Sequence, residues 1–402
     1  MITVNEALSK IEDKVSILNS ICLPIHQVYG LILAENTISK IDQPPFNSSA
    51  MDGYAVAKEG LNKENTLFKL VGLSKAGDDI SNVYLNKGEC VRVFTGSAVP
   101  KGCHKVVIQE KVKINDATIE IPEGIDEGAN IRLKGEQYKK GDTLLFKGQK
   151  LNPAAIGLLA SSGISKVNVI PSPKVSLIIT GNELTELGKP LQSGKIYESN
   201  SYMLEAALKE MPVQIIDKIK LKDNLLHTKK SIAKALEKSD IIILSGGISV
   251  GDFDFVGEAL KQLKVETVFY KVKQKPGKPI FYGKYKTKEI FALPGNPASA
   301  LTSFYIYVLP AIRKKMGFMD IYLQKKPFKL THHLLGNKSD RTTFLKAKYV
   351  KNNIEILGAQ SSAMLKTYAL SNALAILSPN SEDLKKGDHI EAYILPTEYT
   401  LI

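Results

Sequence analysis

From about residue 173 to residue 317 the chain alternates apolar strands with helical patterns of roughly 10–15 residues, and few architectures accept that order. Val175–Thr180, Val213–Ile219, Ile241–Ser245 and Val265–Val272 read as strands. Helices are predicted over Ser201–Glu210, Leu225–Lys238 and Phe255–Leu263. A hairpin, Pro279–Gly283 with Glu289–Leu293, then leads into a long helix, Ala298–Met316. Alternation of this kind predicts right-handed βαβ units and a parallel sheet. Ligands of open α/β sheets sit beyond the carboxyl ends of the strands. Four polar, glycine-containing turns fall at such ends: Thr180-Gly-Asn-Glu183, Ser245-Gly-Gly247, Lys275-Pro-Gly-Lys278 and Pro294-Gly-Asn-Pro297.

The last two turns belong to Lys275-Pro-Gly-Lys-Pro279 and Leu293-Pro-Gly-Asn-Pro297. The first sets two ammonium groups beside a bend that proline and glycine hold rigid. The second puts a rigid turn at a helix N-terminus. Together they predict a fixed receptacle for an anion.

The flanks have a different style. Thr3 and Glu6 form a capping-box pattern, with Val4, Ala7, Leu8, Ile11 and Val15 on one helical face. Residues 20–43 read as extended. From Pro44 to about Ile131 short β-like runs (Leu67–Leu73, Cys90–Phe94, Lys105–Gln109, Thr118–Ile121) alternate with glycine, as in a compact all-β unit. A helix is expected at Pro153–Ser162, with Asn152 as N-cap and proline in the first turn. After Gly317 the pattern is β again. Thr342–Val350 and Ile354–Leu357 flank Asn352-Asn353, a hairpin signal, and residues 386–395 end as an alternating strand.

A length of 402 residues allows two to four domains. No apolar run approaches the roughly 20 residues that span a bilayer. The N-terminal segment is polar rather than signal-like, and Cys22, Cys90 and Cys103 form no Cys-x-x-Cys pair. The expected compartment is the reducing cytoplasm. Net charge is +13, yet only Arg92, Arg132, Arg313 and Arg341 are arginine and the lysines are scattered. Nucleic-acid surfaces use clustered arginine, so the excess reads as a solvated lysine surface that also attracts anionic substrates.

Several residues carry candidate chemistry. In Ser245-Gly-Gly-Ile-Ser-Val-Gly-Asp-Phe-Asp254 the glycines Gly246 and Gly247 let backbone approach a phosphate, and Ser245 and Ser249 supply hydroxyls. Asp252 and Asp254 repel a phosphate unless a divalent cation, Mg²⁺, bridges them; otherwise they cap the following helix. Glu183 either serves the same metal or is a solvated loop charge. Asp52-Gly53 reads as a turn presenting Asp52, for function or as an ordinary hairpin. Thr95, before Gly96, is either a site residue or a strand terminus. The histidines show no metal spacing, and the chain carries no nucleophile–base set and no Gly-x-x-x-x-Gly-Lys-Ser/Thr loop.

The ordered set of motifs is more specific than any member. Ser48-Ser-Ala-Met-Asp-Gly-Tyr-Ala55, Arg92-Val-Phe-Thr-Gly96, Asn130-Ile-Arg-Leu-Lys-Gly-Glu136, Thr180-Gly-Asn-Glu-Leu184, Ser245-Gly-Gly-Ile-Ser-Val-Gly251 and the two proline-glycine turns appear in that order. From about residue 3 to its end the chain resembles the molybdopterin molybdenumtransferase family, which includes the E domain of gephyrin. The resemblance implies a multidomain α/β plus all-β fold in an elongated homodimer. Residues 1–43 and 136–168 would form a discontinuous dimerisation domain, and 44–135 an inserted β domain. Residues 169–320 would form the central molybdopterin-binding α/β domain with its parallel sheet, and 321–402 a C-terminal β-barrel-like domain.

It further implies insertion of molybdenum from molybdate into adenylyl-molybdopterin, with Mg²⁺-assisted release of AMP, in the cytoplasm and away from nucleic acid and membranes. The molybdopterin adenylyltransferase is a further implied partner. Ser245, Gly246, Gly247, Ser249, Asp240, Pro294, Asn296 and Pro297 belong to the implied substrate-binding set. Lys275, Lys278, Arg341 and Ser362 belong to the molybdate pocket, while Glu183, Asp252 and Asp254 hold Mg²⁺. Asp52, Thr95, Glu183 and Asp254 make up the catalytic set, the first two approaching from the inserted domain, of the same subunit or of the other one in a dimer. Gln137 stands where many relatives have aspartate, and Ala363 replaces the glycine usual after Ser362. Two other readings keep part of this: an ATP-dependent molybdopterin adenylyltransferase, against which the long flanking β regions count, and a gephyrin-type scaffold, against which the lack of a linker or fused domain counts.

Overall fold

A computed structural model describes residues 1–80, 82–248 and 255–397. The chain divides into two compact units, one of residues 1–22, 30–34 and 168–402, the other of residues 23–29 and 35–167.

The centre of the first unit is a six-stranded sheet in the order Gln214–Leu221, Lys174–Thr180, Ile241–Ser245, Lys288–Leu293, Phe281–Tyr285, Glu266–Tyr270. The first four strands run parallel, and Phe281–Tyr285 is antiparallel to both of its neighbours. Lys174–Thr180 is buried in all but its first residue, and Ile241–Ser245 throughout, as expected for strands covered on both faces. The chain moves from Lys174–Thr180 to one side of the sheet and returns to Ile241–Ser245 on the other. The carboxyl ends of these two strands therefore form a topological switch point. Glu266–Tyr270 runs in the same sense as the parallel strands, so all four glycine turns share one rim.

The predicted helices form nearly as read: Asn200–Lys209, Leu225–Lys238 and Phe255–Gln262. The predicted long helix is interrupted. Pro297–Ser303 and Leu309–Lys315 are α-helical, but Phe304–Val308 makes a wide π turn in which the Leu309 N–H donates to Phe304 O. Pro310 lacks an N–H for the carbonyl one α-turn back, and the wider turn accommodates that loss.

The first helix, Val4–Lys14, starts with the predicted reciprocal cap: Glu6 N–H donates to Thr3 Oγ1 (3.2 Å) and Thr3 N–H to Glu6 Oε2 (2.7 Å). The C-terminal strands close a barrel through Thr342–Val350, Asn353–Ile356, Lys325–Leu330, His389–Ile394 and Ala373–Leu377, which pairs back onto Thr342–Val350. Phe328, Leu330, Ala347, Ile354, Ala375 and Ile390 fill it. The hairpin predicted at Asn352-Asn353 turns one residue earlier, through Lys351 and Asn352, with Lys351 at φ +53°. Gln274–Lys275 adds to the barrel in parallel, with Gln274 opposite Thr342 and Lys275 opposite Thr343.

The second unit holds a six-stranded sheet in the order Cys103–Ile108, Gly53–Ala57, Glu89–Val93, Leu67–Ser74, Thr118–Glu120, Lys113–Asn115. Gly53 is the first residue of a fully buried strand rather than part of a hairpin turn. A Cβ there would lie 2.0 Å from Val107 O, so glycine permits the close strand approach. The helix Pro153–Ser161 is capped by Asn152 Oδ1, which accepts from Ala155 N–H at 2.8 Å. Among the described residues no helix is long and apolar enough to cross a membrane.

Candidate functional site

A cavity of about 820 Å³ opens at the switch point, lined by the Thr180, Ser245 and Pro294 turns, by Asn200 and Asp223, and by Ala363 and Leu365 from the C-terminal region. The turns are locked to one another. Ser245 Oγ donates to Pro294 O at 3.2 Å, and Gly246 N–H donates to Leu293 O at 3.3 Å. Asn200 Nδ2 donates both to Ser245 Oγ (2.9 Å) and to Gly295 O (2.8 Å), which joins the first crossover helix to two strand ends.

Gly246 (φ +88°) and Gly247 (φ +62°) meet the conditions that only glycine satisfies easily. A Cβ on Gly246 would lie 2.3 Å from Thr180 O, and one on Gly247 2.7 Å from Thr180 Oγ1. Thr180 Oγ1 and Asn200 Oδ1 are buried with no hydrogen-bond partner among the described residues. An unsatisfied buried polar atom costs about 1–3 kcal/mol. Two of them at one cavity mark where a polar ligand would remove that cost. Replacing Gly246 by alanine should displace the Thr180 turn and weaken binding of a phosphate-bearing ligand at least about tenfold, on the order of 1.4 kcal/mol; equilibrium titration of that ligand checks it, and unchanged affinity removes the turn from the binding surface.

Sequence reasoning missed Asn200. Its signal was a short polar run, Ser199-Asn200-Ser201, at a helix start just past a strand. That position looks like a cap, yet Ser199 caps nothing with its side chain. Glu198, 5% exposed, caps instead by accepting from Ser201 N–H at 2.7 Å. Asp223 was missed as well. It exchanges hydrogen bonds with Asn182, its N–H donating to Asn182 Oδ1 (3.2 Å) and its Oδ2 accepting from Asn182 N–H (3.1 Å).

The structure brings most of the predicted rim together. Glu183 lines the cavity, its carboxylate folded back over Gly181. Asn296 and Pro297 line it too, and Asn296 Nδ2 donates to Ser362 Oγ at 3.1 Å. Ser362 O in turn accepts from Ser299 N–H at 3.3 Å. Lys275 and Lys278 are exposed on the adjoining turn, whose Pro279 lines the cavity. Arg341 directly precedes Thr342, whose N–H donates to Lys273 O at 3.0 Å, so the parallel pairing sets Arg341 opposite Lys273, just ahead of the lysine turn.

Asp240 is the exception. It precedes Ile241 at the amino end of its strand, about 16 Å from Ser245 at 3.3 Å per residue. Its carboxylate accepts from Lys174 N–H at 2.8 Å and its carbonyl from Glu289 N–H at 3.0 Å. It ties three strands at the opposite rim and makes no contact with the cavity. Ser249, Asp252 and Asp254 lie outside the described residues.

In the second unit Asp52 and Thr95 are joined: Thr95 N–H and Oγ1 both donate to Asp52 Oδ1 at 2.7 Å. These bonds, with Arg92 nearby, hold the Asp52 carboxyl below its ordinary pKa. Arg92 lies over the Tyr54 ring at 4.8 Å. Among the described residues no three His, Cys, Asp or Glu side chains converge as a metal site. Glu183, Glu198 and Asp223 line one cavity; Glu198 is engaged by Ser201, and Glu183 with Asp223 makes a donor pair that suits a hydrated Mg²⁺ shared with substrate phosphates.

Three family models match the chain in order: MoeA N-terminal region (domain I and II) over residues 2–163, probable molybdopterin binding domain over 176–314, and MoeA C-terminal region (domain IV) over 335–395. The molybdopterin molybdenumtransferase of Haemophilus influenzae is 35% identical, with 97% of this chain and 98% of that protein covered. The one from Staphylococcus epidermidis is 33% identical over 98% of this chain and 95% of its own length. Two structures of the molybdopterin biosynthesis MoeA protein from Pyrococcus horikoshii superpose with TM-scores of 0.83 and 0.79, at 28% and 27% identity, covering 98% of this chain and 99% and 100% of theirs.

Proposed function

Because the chain belongs to the molybdopterin molybdenumtransferase family, we propose that it acts in molybdenum cofactor biosynthesis by inserting molybdenum from molybdate into adenylyl-molybdopterin with release of AMP. One observation carries the reading: the switch-point cavity is lined by a phosphate-type glycine turn and by Pro279 of a turn bearing two exposed ammonium groups. A phosphorylated pterin and a small oxyanion are the two anions that this arrangement suits.

The Ser245-Gly246-Gly247 turn would receive the pterin phosphate, with Asn200 holding Ser245 in place and Thr180 Oγ1 supplying a further polar contact. Lys275, Lys278, Arg341 and Ser362 would grip molybdate. Glu183, with Asp223 and the Asp252 and Asp254 carboxylates, would hold Mg²⁺, which supplies Lewis-acid polarisation of the pyrophosphate when bound. The protein's own contribution is then positioning: two anions held side by side by fixed donors, with no reorganisation needed at the moment of reaction. The Asp52–Thr95 pair would serve the same reaction in a homodimer in the cytoplasm, with the molybdopterin adenylyltransferase supplying substrate.

Purified protein given adenylyl-molybdopterin, Mg²⁺ and molybdate should release AMP, and omission of molybdate should reduce the rate. No release beside an active relative rejects the reading. ATP-dependent adenylylation of molybdopterin by this chain alone would favour the adenylyltransferase step instead.

A further inference from the structure

Lys346 lies in the middle of the barrel strand Thr342–Val350, 3% exposed, with no carboxylate within ion-pair distance among the described residues. A buried ammonium without a counter-ion is costly unless its protons are all bonded. Here three backbone carbonyls accept from its Nζ: Ala359 O at 3.0 Å, Ser361 O at 3.0 Å and Met364 O at 3.4 Å. Three acceptors match the three protons of the ammonium form. Desolvation nevertheless pulls its pKa below the ordinary lysine value.

All three carbonyls belong to one loop. Gln360 of the same loop clamps the Lys346 backbone, accepting from its N–H and donating to its carbonyl, both at 2.9 Å. The loop also holds Ala359 at φ +53°, a conformation that a non-glycine residue adopts only when its surroundings impose it. Its far side faces the cavity: Ala363 and Leu365 line it, and Ser362 is bonded to Asn296 and Ser299. Lys346 therefore grips from behind the loop that completes the site from the front.

We propose that Lys346 is a positioning residue for the oxyanion, fixing loop 359–364 so that Ser362 meets the Asn296 turn and placing an uncompensated buried positive charge behind it. The idea rests on the reading above that Ser362 borders the molybdate pocket. A bound oxyanion would serve as the counter-charge that the described residues do not supply. It also accounts for Ala363: with the loop held through carbonyls by a lysine, glycine freedom after Ser362 is not required.

The test compares the full chain with Lys346→Met and Gln360→Ala. Molybdate binding is measured by calorimetry, and AMP release is followed against molybdate and against adenylyl-molybdopterin. Lys346→Met should weaken molybdate at least tenfold and raise its KM by the same factor, more than kcat falls. The KM for adenylyl-molybdopterin should move less than twofold. Gln360→Ala, which keeps the charge but loosens the loop, should weaken molybdate about threefold and serves alone if Lys346→Met does not fold. A merely structural lysine would lower the yield of folded protein and leave the molybdate KM in place. If the wild type binds molybdate and the folded variants bind it within twofold, the inference falls and the reading of the pocket stands. If the wild type binds no molybdate, both fall.

Discussion

Changing Lys275 and Lys278 together to alanine should abolish the stimulation of AMP release by molybdate. The turn that carries them is held from within. Gln274, fully buried, donates through Nε2 to Pro276 O (3.0 Å) and Gly277 O (3.2 Å), and Tyr307 OH bonds its Oε1. Neither lysine has an ion-pair partner among the described residues, although Lys273 two positions earlier is paired with Asp340 at 3.0 Å. The alanines therefore remove charge without removing a contact that shapes the turn, and stability should change by less than about 0.5 kcal/mol. Each hydrogen bond to a charged group is worth about 1.5–3 kcal/mol. Losing two amounts to roughly 3–6 kcal/mol, or about 10²–10⁴ in oxyanion affinity. Initial rates over a molybdate series decide it: a double variant stimulated like the wild type takes the two ammonium groups out of the oxyanion pocket.

The largest stability effect should come from the opposite rim of the sheet. Glu289 is fully buried at the start of its strand, and Lys315, 1% exposed, meets it at 3.1 Å. Lys284 Nζ approaches the same oxygen at 3.7 Å, and Tyr282 OH donates to the other at 2.8 Å. Burial and this carboxylate push the Tyr282 phenol well above its usual range. Lys315 Nζ also donates to Thr287 O at 2.8 Å. Glu289→Ala strands the Lys315 ammonium in the interior, which costs about 3–5 kcal/mol. The double change Glu289→Leu with Lys315→Met removes both charges and should recover most of the loss. The chain has no tryptophan, so urea unfolding is best followed by circular dichroism. A single variant within about 1 kcal/mol of the wild type would show that the pair is not a significant prop of this unit.

Much of the site was legible because its parts sit where local chemistry is strongest. Gly246 and Gly247 are forced by the carbonyl and the hydroxyl of Thr180 at the end of the neighbouring strand, yet a glycine pair after a buried strand already predicts a close approach. The lysine turn was readable for a similar reason, since proline and glycine fix its shape locally. Asp240 shows where such reading stops. It stands in the same motif region as Ser245, but a strand has two ends, and only the direction of the chain through the sheet tells which end faces the cavity. Asn200 shows the converse. Nothing local separates it from a helix cap, and its role comes from two partners, 45 and 95 residues away. Asp52-Gly53 looked like a turn because glycine usually marks one, whereas here it answers to a neighbouring strand's carbonyl.

By itself the sequence determined the alternating α/β centre, the β flanks, the helix caps at Thr3 and Asn152, and the chemical character of the four rim turns. Those depend on periodicity and on residues within a few positions of one another. The tertiary structure decided which strands lie at the switch point, that the Gln274–Lys275 strand joins the barrel beside Arg341, that Asn200 braces two turns, and that Lys346 holds the Ser362 loop. Each of these is a meeting of distant segments, governed by strand order and by the burial of polar groups that must find partners.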